Sequence, residues 1–396
     1  MPSDLRALMP ALANKTYFNY GGQGPLPQPS LEAMVDCWQR IQELGPFSGA
    51  VWPHLQATTQ HLRQHLGHWL GVGPERLAFT ENVTSGCVLP LWGLPWRSGD
   101  RLLLSDCEHP GVVAACRELA RRERLEIDWL AVADLRGTAD QAAASVQERL
   151  AAALQPGTRL VVLSHLLWNT GQLMPIAAVA AQLRDHGNHP WLLVDAAQSL
   201  GSIPVAEAAA AADIYACTGH KWCSGPEGLG VVALSDRLLE QAQPTLIGWR
   251  SLRHETQAGA QASAAELFHR DGRRFEVATS CIPLCSGLAS SLALLDAQGS
   301  AEQRLALIRQ HSQRLWEALN TIPQAQTLLE TPPPAGLVSF QLNDQEPAAV
   351  VRRLGDQGIW IRQLDSPTCL RACTHITTTS TEIDQLLNSL QLLNSL

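Results

Sequence analysis

Short apolar segments alternate with longer amphipathic ones between residues 77 and 234, and this alternation constrains the fold more than any other feature of the chain. Seven apolar segments predict strands at 77–79, 101–105, 126–131, 159–164, 191–194, 213–217 and 228–234. Amphipathic segments predict helices at 85–93, 111–124, 140–154 and 176–186. Strands that alternate with helices form parallel sheets covered on both faces. We therefore expect an α/β fold with a mostly parallel seven-stranded sheet.

The rest of the chain indicates a second, smaller unit. Residues 244–277 lack periodicity and predict long loops, and residues 283–319 predict one long helical stretch. Beyond them the pattern predicts strands at 336–342, 359–361 and 369–373, and helices at 347–357 and 381–392. We expect an N-terminal segment over 1–25, a large domain over 26–285 and a small α/β domain over 286–396.

Composition excludes several classes of protein. The net charge of −8 argues against a nucleic-acid partner, because phosphate binding needs a basic face. No apolar run approaches the roughly 20 residues of a membrane span, and residues 1–15 lack the pattern of a secretory signal. We expect a cytoplasmic protein without a membrane partner. The ten cysteines form no CxxC pair, so we expect free thiols and no metal site.

Lysine is rare in this chain, which has only Lys15 and Lys221 among 29 lysine and arginine residues. A lysine amine can lose its proton, whereas an arginine side chain does not. Lys221 follows the predicted strand 213–217, and α/β enzymes place reactive groups at strand ends. An amine there can form a Schiff base with a carbonyl cofactor. Neutral drift in composition would explain the same count.

Two further polar residues stand close to a strand end. Asp195 follows the predicted strand 191–194, and Gln198 comes three residues later. A pyridine-ring cofactor needs a carboxylate for its ring nitrogen, a donor for its phenolic oxygen and an amine for its aldehyde. Asp195 alone is equally typical of a helix N-cap. The combination with Lys221 is what favours the cofactor.

Three motifs together resemble the fold-type I pyridoxal 5′-phosphate (PLP) enzymes, in the class V aminotransferase and cysteine desulfurase group. They are Asp-Ala-Ala-Gln at 195–198, Thr-Gly-His-Lys at 218–221 and Gly-Pro-Glu-Gly at 225–228. The resemblance implies that PLP is the cofactor and that Lys221 is the catalytic Schiff-base lysine. It also implies that Asp195 pairs with the pyridine nitrogen and that Gln198 contacts the phenolic oxygen.

The same resemblance implies roles for seven other positions. It places the backbone of Val83 with Thr84, Thr218 and His220 at the phosphate, a catalytic His109 on the cofactor ring, and Asn169 near cofactor and substrate. Thr279 matches a residue that reaches the phosphate of the neighbouring subunit, so a homodimer is implied. By residue type alone, Thr84 is typical of an ordinary helix cap and His109 of a structural histidine.

The implied substrate is a sulfur amino acid. Arg371 matches the arginine that holds the substrate α-carboxylate in this family, and Arg362 lies nine residues earlier across a short loop. Segments 82–87, 91–94, 248–250 and 362–373 resemble the cystine or cysteine C–S lyases of cyanobacterial type, where a tryptophan matching Trp249 lies near the substrate. This resemblance implies β-elimination of L-cystine or L-cysteine, with a place in sulfur and iron–sulfur cluster metabolism. Arg362 alone is typical of a solvated arginine.

Three alternative functions stay open. A cysteine desulfurase needs a mobile cysteine before the carboxylate-binding arginine, but Cys369 lies on a predicted strand two residues from Arg371, which favours elimination. A class V aminotransferase would need a keto-acid acceptor. A non-enzymatic protein with this fold usually loses the lysine, so Lys221 argues against that alternative.

Overall fold

The computed structural model describes residues 4–253 and 267–393. The helices of these residues are α1 Gln28–Leu44, α2 Val51–Leu70, α3 Val83–Trp92, α4 Pro110–Glu123, α5 Ala139–Ala153, α6 Ile176–Asp185, α7 Ala206–Ala211, α8 Asp236–Gln241, α9 Pro283–Asp296, α10 Ala301–Leu319, α11 Pro347–Gly355 and α12 Ser380–Leu393. The strands are β1 Thr16–Tyr17, β2 Leu77–Thr80, β3 Arg101–Ser105, β4 Glu126–Leu130, β5 Thr158–Ser164, β6 Trp191–Asp195, β7 Ile214–Thr218, β8 Gly230–Leu234, β9 Ala325–Thr327, β10 Leu337–Leu342, β11 Ile359–Trp360, β12 Arg362–Asp365 and β13 Thr368–Cys373.

Seven strands form the central sheet in the order β2-β8-β7-β6-β5-β3-β4. All pairs are parallel except those of β8 with β2 and β7. Every residue of β6, β7 and β8 is buried, because helices cover both faces, and this explains their continuous apolar sequences. The prediction of a mostly parallel seven-stranded α/β sheet is confirmed.

The four helices predicted between the strands are also present, but the long helical stretch predicted over 283–319 is wrong. It consists of two helices, α9 and α10. Gly299 between them has φ +115°, a conformation that favours glycine, and the Ser300 side chain then accepts a hydrogen bond from Gln303 N to begin α10. The predicted loops over 244–277 hold short 3₁₀ turns at Trp249–Ser251 and Gly272–Phe275, while 254–266 lie outside the described residues.

The C-terminal unit contains a four-stranded antiparallel sheet in the order β12-β13-β10-β9. Strands β9 and β12 are additional to those predicted from the sequence. Arg362 begins β12 and is the direct cross-strand partner of Arg371 on β13. The two arginines that the sequence places on either side of a loop are therefore neighbours on one hairpin.

The N-terminal segment connects this unit to the central sheet. Strand β1 pairs in parallel with β11, Thr16 opposite Ile359. The chain then returns to the end of β7, where Gly24 N donates to the carbonyl of His220 at 2.7 Å. A Cβ at Gly24 would lie 2.0 Å from the Lys221 carbonyl, so only glycine permits this approach. Among residues 4–253 and 267–393, no helix is both long and apolar enough to span a membrane.

Candidate active site

A cavity lies at the carboxyl ends of the central strands, between the sheet, the N-terminal segment and the β12–β13 hairpin. Asp195 ends β6, and Lys221 follows the end of β7. Parallel strands present the residues after their carboxyl ends at one edge of the sheet, so residues 26 apart in sequence meet there. The cavity is lined by Gly21, Gly22, Val83, His109, Ser164, Leu166, Trp168, Asp195, Ala197, Gln198, Lys221, Arg362 and Arg371.

The Lys221 amine has the electrostatic environment of a nucleophile. Burial lowers its pKa to about 8, with the positive charges of Arg371 and Arg362 acting in the same direction and the Asp195 carboxylate opposing them. Within the described part of the chain the amine has no hydrogen-bond or ion-pair partner. A substantial fraction is therefore neutral near pH 8, and the amine is available for a bond to a ligand.

Asp195 and Gln198 are held by backbone and side-chain hydrogen bonds. Asp195 Oδ1 accepts from Ala197 N at 2.9 Å. Gln198 Oε1 accepts from Trp222 Nε1 at 2.8 Å, while its Nε2 donates to the carbonyl of Gly21 at 2.9 Å. Both residues are buried, so their orientations are fixed before any ligand arrives. The carboxylate and the amide lie on the same cavity as Lys221.

The N-terminus of α3 forms another part of this region. Asn82 caps the helix by accepting from Ser85 N at 2.9 Å, and Val83 and Thr84 are the first residues inside it. Free N–H groups and the helix dipole make such an end favourable for an anion. At the end of β7, Thr218 Oγ1 and His220 Nδ1 are hydrogen-bonded to each other at 2.6 Å.

His109 presents an uncharged ring to the cavity. It caps α4 through Nδ1, which accepts from Gly111 N at 3.2 Å, and it makes an edge contact with Trp168 at 5.9 Å between ring centroids. Burial lowers its pKa, and the charges of Lys221 and Arg362 add to this effect against the opposing influence of Asp195. The neutral ring can therefore stack on a planar ligand.

Arg371 is a buried guanidinium without a counterion. Its Nη1 donates to the carbonyl of Trp168 at 2.6 Å, and its Nε has no hydrogen-bond partner among residues 4–253 and 267–393. No carboxylate of these residues lies within ion-pair distance. An uncompensated buried charge is costly, so this arrangement favours binding of an external carboxylate. Arg362, beside it on the hairpin, lines the same cavity.

Six predicted site residues do not line the cavity: Thr84, Thr218 and His220 at the two element ends described above, and Asn169, Trp249 and Thr279. Asn169 is buried next to the cavity, where its Nδ2 donates to the Ser366 carbonyl at 3.1 Å and its Oδ1 accepts from Thr170 N at 2.9 Å. Trp249 lines a separate pocket, and Thr279 lines another groove. Within one chain, therefore, the described structure does not bring Trp249 or Thr279 to Lys221.

Several residues in the cavity wall or packed behind it were missed from the sequence. Gly21 and Gly22 bring the backbone close to Arg371, since a Cβ at Gly21 would lie 2.8 Å from its Nη2. Glu108, beside His109, is buried and accepts from Ser105 Oγ at 2.5 Å and from Ser164 N at 2.8 Å. Burial raises the pKa of Glu108 to about 7. The glycine-rich sequence at 21–24 was the signal for a close backbone approach.

Comparison with known proteins adds an independent observation to this geometry. The family model described as aminotransferase class V matches residues 16–386. The chain belongs to the class V aminotransferase family. A probable cysteine desulfurase from Pseudomonas aeruginosa is 31% identical over 386 residues, covering 91% of this chain and 88% of the relative. An isopenicillin N epimerase from Streptomyces clavuligerus is 29% identical, covering 95% and 94%.

Solved structures give the same assignment for this class V chain. The cystine C–S lyase C-DES, in complex with its reaction product cysteine persulfide, is 43% identical with a TM-score of 0.90, covering 97% of this chain and 99% of that one. A C-DES variant with glycine covalently linked to the PLP cofactor is 42% identical with a TM-score of 0.91, covering 98% of each chain. The predicted family, fold type and enzyme class are confirmed, and the cofactor is PLP.

The cavity residues of the class V chain fit this cofactor. A partly neutral lysine amine, a carboxylate, a fixed amide and a neutral imidazole all line one cavity. The described residues leave the amine of Lys221 without a hydrogen-bond partner and the buried guanidinium of Arg371 without a carboxylate partner. They suit a covalently held aldehyde and a substrate carboxylate, respectively.

Proposed function

We propose that this class V enzyme is a PLP-dependent C–S lyase that acts on L-cystine or L-cysteine by β-elimination. The products are pyruvate, ammonia and either cysteine persulfide, from cystine, or sulfide, from cysteine. The observation that carries the choice of elimination over persulfide transfer is the state of the cysteines. All ten are free thiols, and all but Cys281 are buried. None of them lines the cavity of Lys221.

Cys369 illustrates why persulfide transfer is disfavoured. It lies fully buried on β13, paired with Leu364 of β12, and burial raises the pKa of its thiol to about 11. A desulfurase needs a thiolate that moves to the substrate sulfur. The Cys369 thiol is protonated and is held within a strand, so it neither forms a thiolate nor moves to the substrate sulfur. The carbon–sulfur bond is therefore broken by elimination.

When bound, PLP supplies an aldehyde for the amino group and an electron-accepting ring. The residues of the chain bind the substrate, orient it and move its proton. Arg371, with Arg362 beside it, binds the α-carboxylate and fixes the orientation of the Cα–H bond. The Lys221 amine, once it is free and neutral, removes the Cα proton as general base. Asp195 would hold a proton at the pyridine nitrogen, and the neutral ring of His109 would lie against the cofactor ring.

The remaining assignments follow the family resemblance and the positions described above. The phosphate would be bound by the N-terminus of α3, at Val83 and Thr84, and by Thr218 and His220. Gln198 would donate to the phenolic oxygen. Asn169 has both ends of its amide occupied by Ser366 and Thr170, so it acts near the cofactor by holding the tip of the β12–β13 hairpin.

A homodimer is part of this proposal, because Trp249 and Thr279 lie outside the cavity of their own chain. Both would then complete the site of the neighbouring subunit. The outer face of α1 supports an interface, since Leu31, Val35 and Trp38 are each more than 40% exposed at helical spacing. The cytoplasmic location stays a prediction from the sequence.

Product analysis tests the proposed reaction. The PLP-loaded enzyme is given cystine or cysteine, with and without a keto acid, and pyruvate, ammonia, alanine and sulfide are quantified. We expect pyruvate and ammonia in equal amounts, independent of the keto acid. Alanine formed without an added acceptor would instead indicate a desulfurase. Turnover that requires the keto acid would indicate an aminotransferase.

A further inference from the structure

Trp222, which follows Lys221, is fully buried and is hydrogen-bonded through both its side chain and its carbonyl. Its Nε1 donates to Gln198 Oε1 at 2.8 Å, and its carbonyl oxygen lies 3.2 Å from His375 Nε2. His375 is stacked on Tyr20, with 4.3 Å between ring centroids. Trp222 therefore links the Lys221 loop to the cavity wall on one side and to the C-terminal unit on the other.

The hydrogen bonds beyond His375 have one consistent set of donors. A carbonyl only accepts, so His375 Nε2 carries a hydrogen and donates to Trp222. Burial lowers the pKa of His375 to about 4, so the ring is neutral and its Nδ1 accepts from Thr377 Oγ1 at 3.1 Å. Because the Thr377 hydroxyl hydrogen is used in that bond, the Tyr20 hydroxyl is the donor in its 2.5 Å hydrogen bond with Thr377 Oγ1.

The same reasoning fixes the side-chain amide of Gln198. The Trp222 indole N–H only donates, so the Gln198 atom that faces it is Oε1. The carbonyl of Gly21 only accepts, so the atom that faces it is Nε2. A flipped amide would place oxygen against oxygen and N–H against N–H. Gln198 lines the Lys221 cavity, and its Nε2 keeps a second hydrogen.

We infer that Trp222 is a positioning residue, which holds Gln198 so that an N–H group, and not an oxygen, faces the phenolic oxygen of PLP. The inference rests on the Gln198 contact in the proposed function. A donor at the phenolic oxygen stabilises its negative charge and weakens its attraction for the proton at the Lys221 nitrogen. Fixing the donor therefore lowers the pH at which that proton is lost.

The test uses Trp222→Phe, which keeps an aromatic ring and removes the indole N–H. Two quantities are measured: the pH midpoint of the visible absorbance of the PLP-loaded protein, and the PLP dissociation constant of the PLP-free protein. We expect the midpoint to rise by roughly 0.5 to 1 pH unit and PLP to bind about 5- to 10-fold more weakly, as for one lost hydrogen bond. Trp316→Phe is the matched control, because it removes an indole N–H that donates to the Leu329 carbonyl at 2.9 Å. It should change neither quantity.

A double-mutant cycle with Gln198→Ala separates the possible outcomes. If Trp222 acts through Gln198, the double variant shows only the larger of the two single effects. Additive effects, or a wild-type midpoint in Trp222→Phe while Gln198→Ala shifts it, would overturn the inference alone. A wild-type midpoint in Gln198→Ala would show that the proposed cofactor contact of Gln198 is wrong, and the inference would fail with it.

Gln198→Glu provides a second test that does not depend on the folding of Trp222→Phe. Glutamate keeps the length of the side chain and an oxygen for Trp222 Nε1, but it has no N–H for the cavity. The midpoint should therefore rise at least as far as in Gln198→Ala. A midpoint at the wild-type value would contradict the inference.

Discussion

Replacing Arg371 with methionine should weaken catalysis strongly without weakening the fold. Arg371 Nη1 is held by the Trp168 carbonyl, which leaves the other guanidinium N–H groups for two hydrogen bonds to a substrate carboxylate. Hydrogen bonds between charged groups contribute about 1.5–3 kcal/mol each. Losing two, with incomplete additivity, corresponds to about 3–4 kcal/mol, or a fall in kcat/KM of roughly 10²- to 10³-fold. Arg371→Lys keeps the positive charge without the two-donor geometry. Its kcat/KM should lie between those of the wild type and of Arg371→Met.

The stability of the Arg371 variant distinguishes a ligand-binding arginine from a structural one. Arg371 has no carboxylate partner in the described residues, so replacing it with an apolar side chain of similar length removes an uncompensated charge. Arg63 is the matched control, because it is equally buried but pairs with Glu276 at 2.6 Å. Arg63→Met leaves a buried carboxylate alone and should cost about 3–5 kcal/mol.

Two assays together check this reasoning. Pyruvate production from cystine gives kcat/KM, and thermal unfolding of the PLP-free protein gives Tm. We expect Arg371→Met to lose activity with a Tm at or above that of the wild type, and Arg63→Met to have a clearly lower Tm. A loss of kcat/KM below tenfold in Arg371→Met would refute the carboxylate assignment. A fall in Tm as large as that of Arg63→Met would show that Arg371 is structural.

Three further predictions concern titratable groups. Cys369→Ser should keep pyruvate production within about threefold of wild type, because the buried thiol takes no part in elimination; loss of turnover would favour a desulfurase. In the PLP-free protein, acylation of Lys221 should increase with pH with a midpoint near pH 8. Mass spectrometry measures it, with the exposed Lys15 as internal reference. A midpoint near pH 10 would contradict a lowered pKa of the Lys221 amine. The pKa of Glu108 is raised on folding, so the folded state binds more protons and stability falls, by up to about 3 kcal/mol, as pH rises from 4.5 through 7. Tm should therefore fall as pH rises, and it should fall less steeply in Glu108→Gln. An unchanged slope would contradict a buried Glu108 carboxyl with a raised pKa.

Much of the fold could be predicted because the central sheet is covered on both faces. Strands such as β6 and β7 are then continuously apolar and stand out in the sequence. Strand β12 was missed because its sequence, Arg-Gln-Leu-Asp, buries only Leu364 and has no apolar run. The end of α9 was missed because apolar residues at helical spacing lie on both sides of Gly299 and outweighed the signals of a break, which are Gly299 itself and the Ser300–Gln303 capping box.

The site was predictable only in part, for a different reason. Lys221, Asp195 and Gln198 stand at strand ends, where parallel topology brings them together. Gly21 and Gly22 contribute backbone and space, which leave little trace in residue chemistry. The hydrogen bond of Trp222 to Gln198 depends on how two loops meet, and no local pattern encodes it. Trp249 and Thr279 lie outside the Lys221 cavity of their own chain, so their proposed roles require the second subunit of the proposed homodimer.

Borohydride reduction of the PLP-loaded protein tests the central claim most directly, because it fixes the cofactor to the amine that carries it. The chain has two lysines, so digestion and mass spectrometry distinguish Lys221 from Lys15 without ambiguity. We predict one pyridoxyl group per chain, on the peptide that contains Lys221 and Trp222. Label on Lys15, or no label on a protein that has bound PLP, would contradict the assignment of this cavity as the active site.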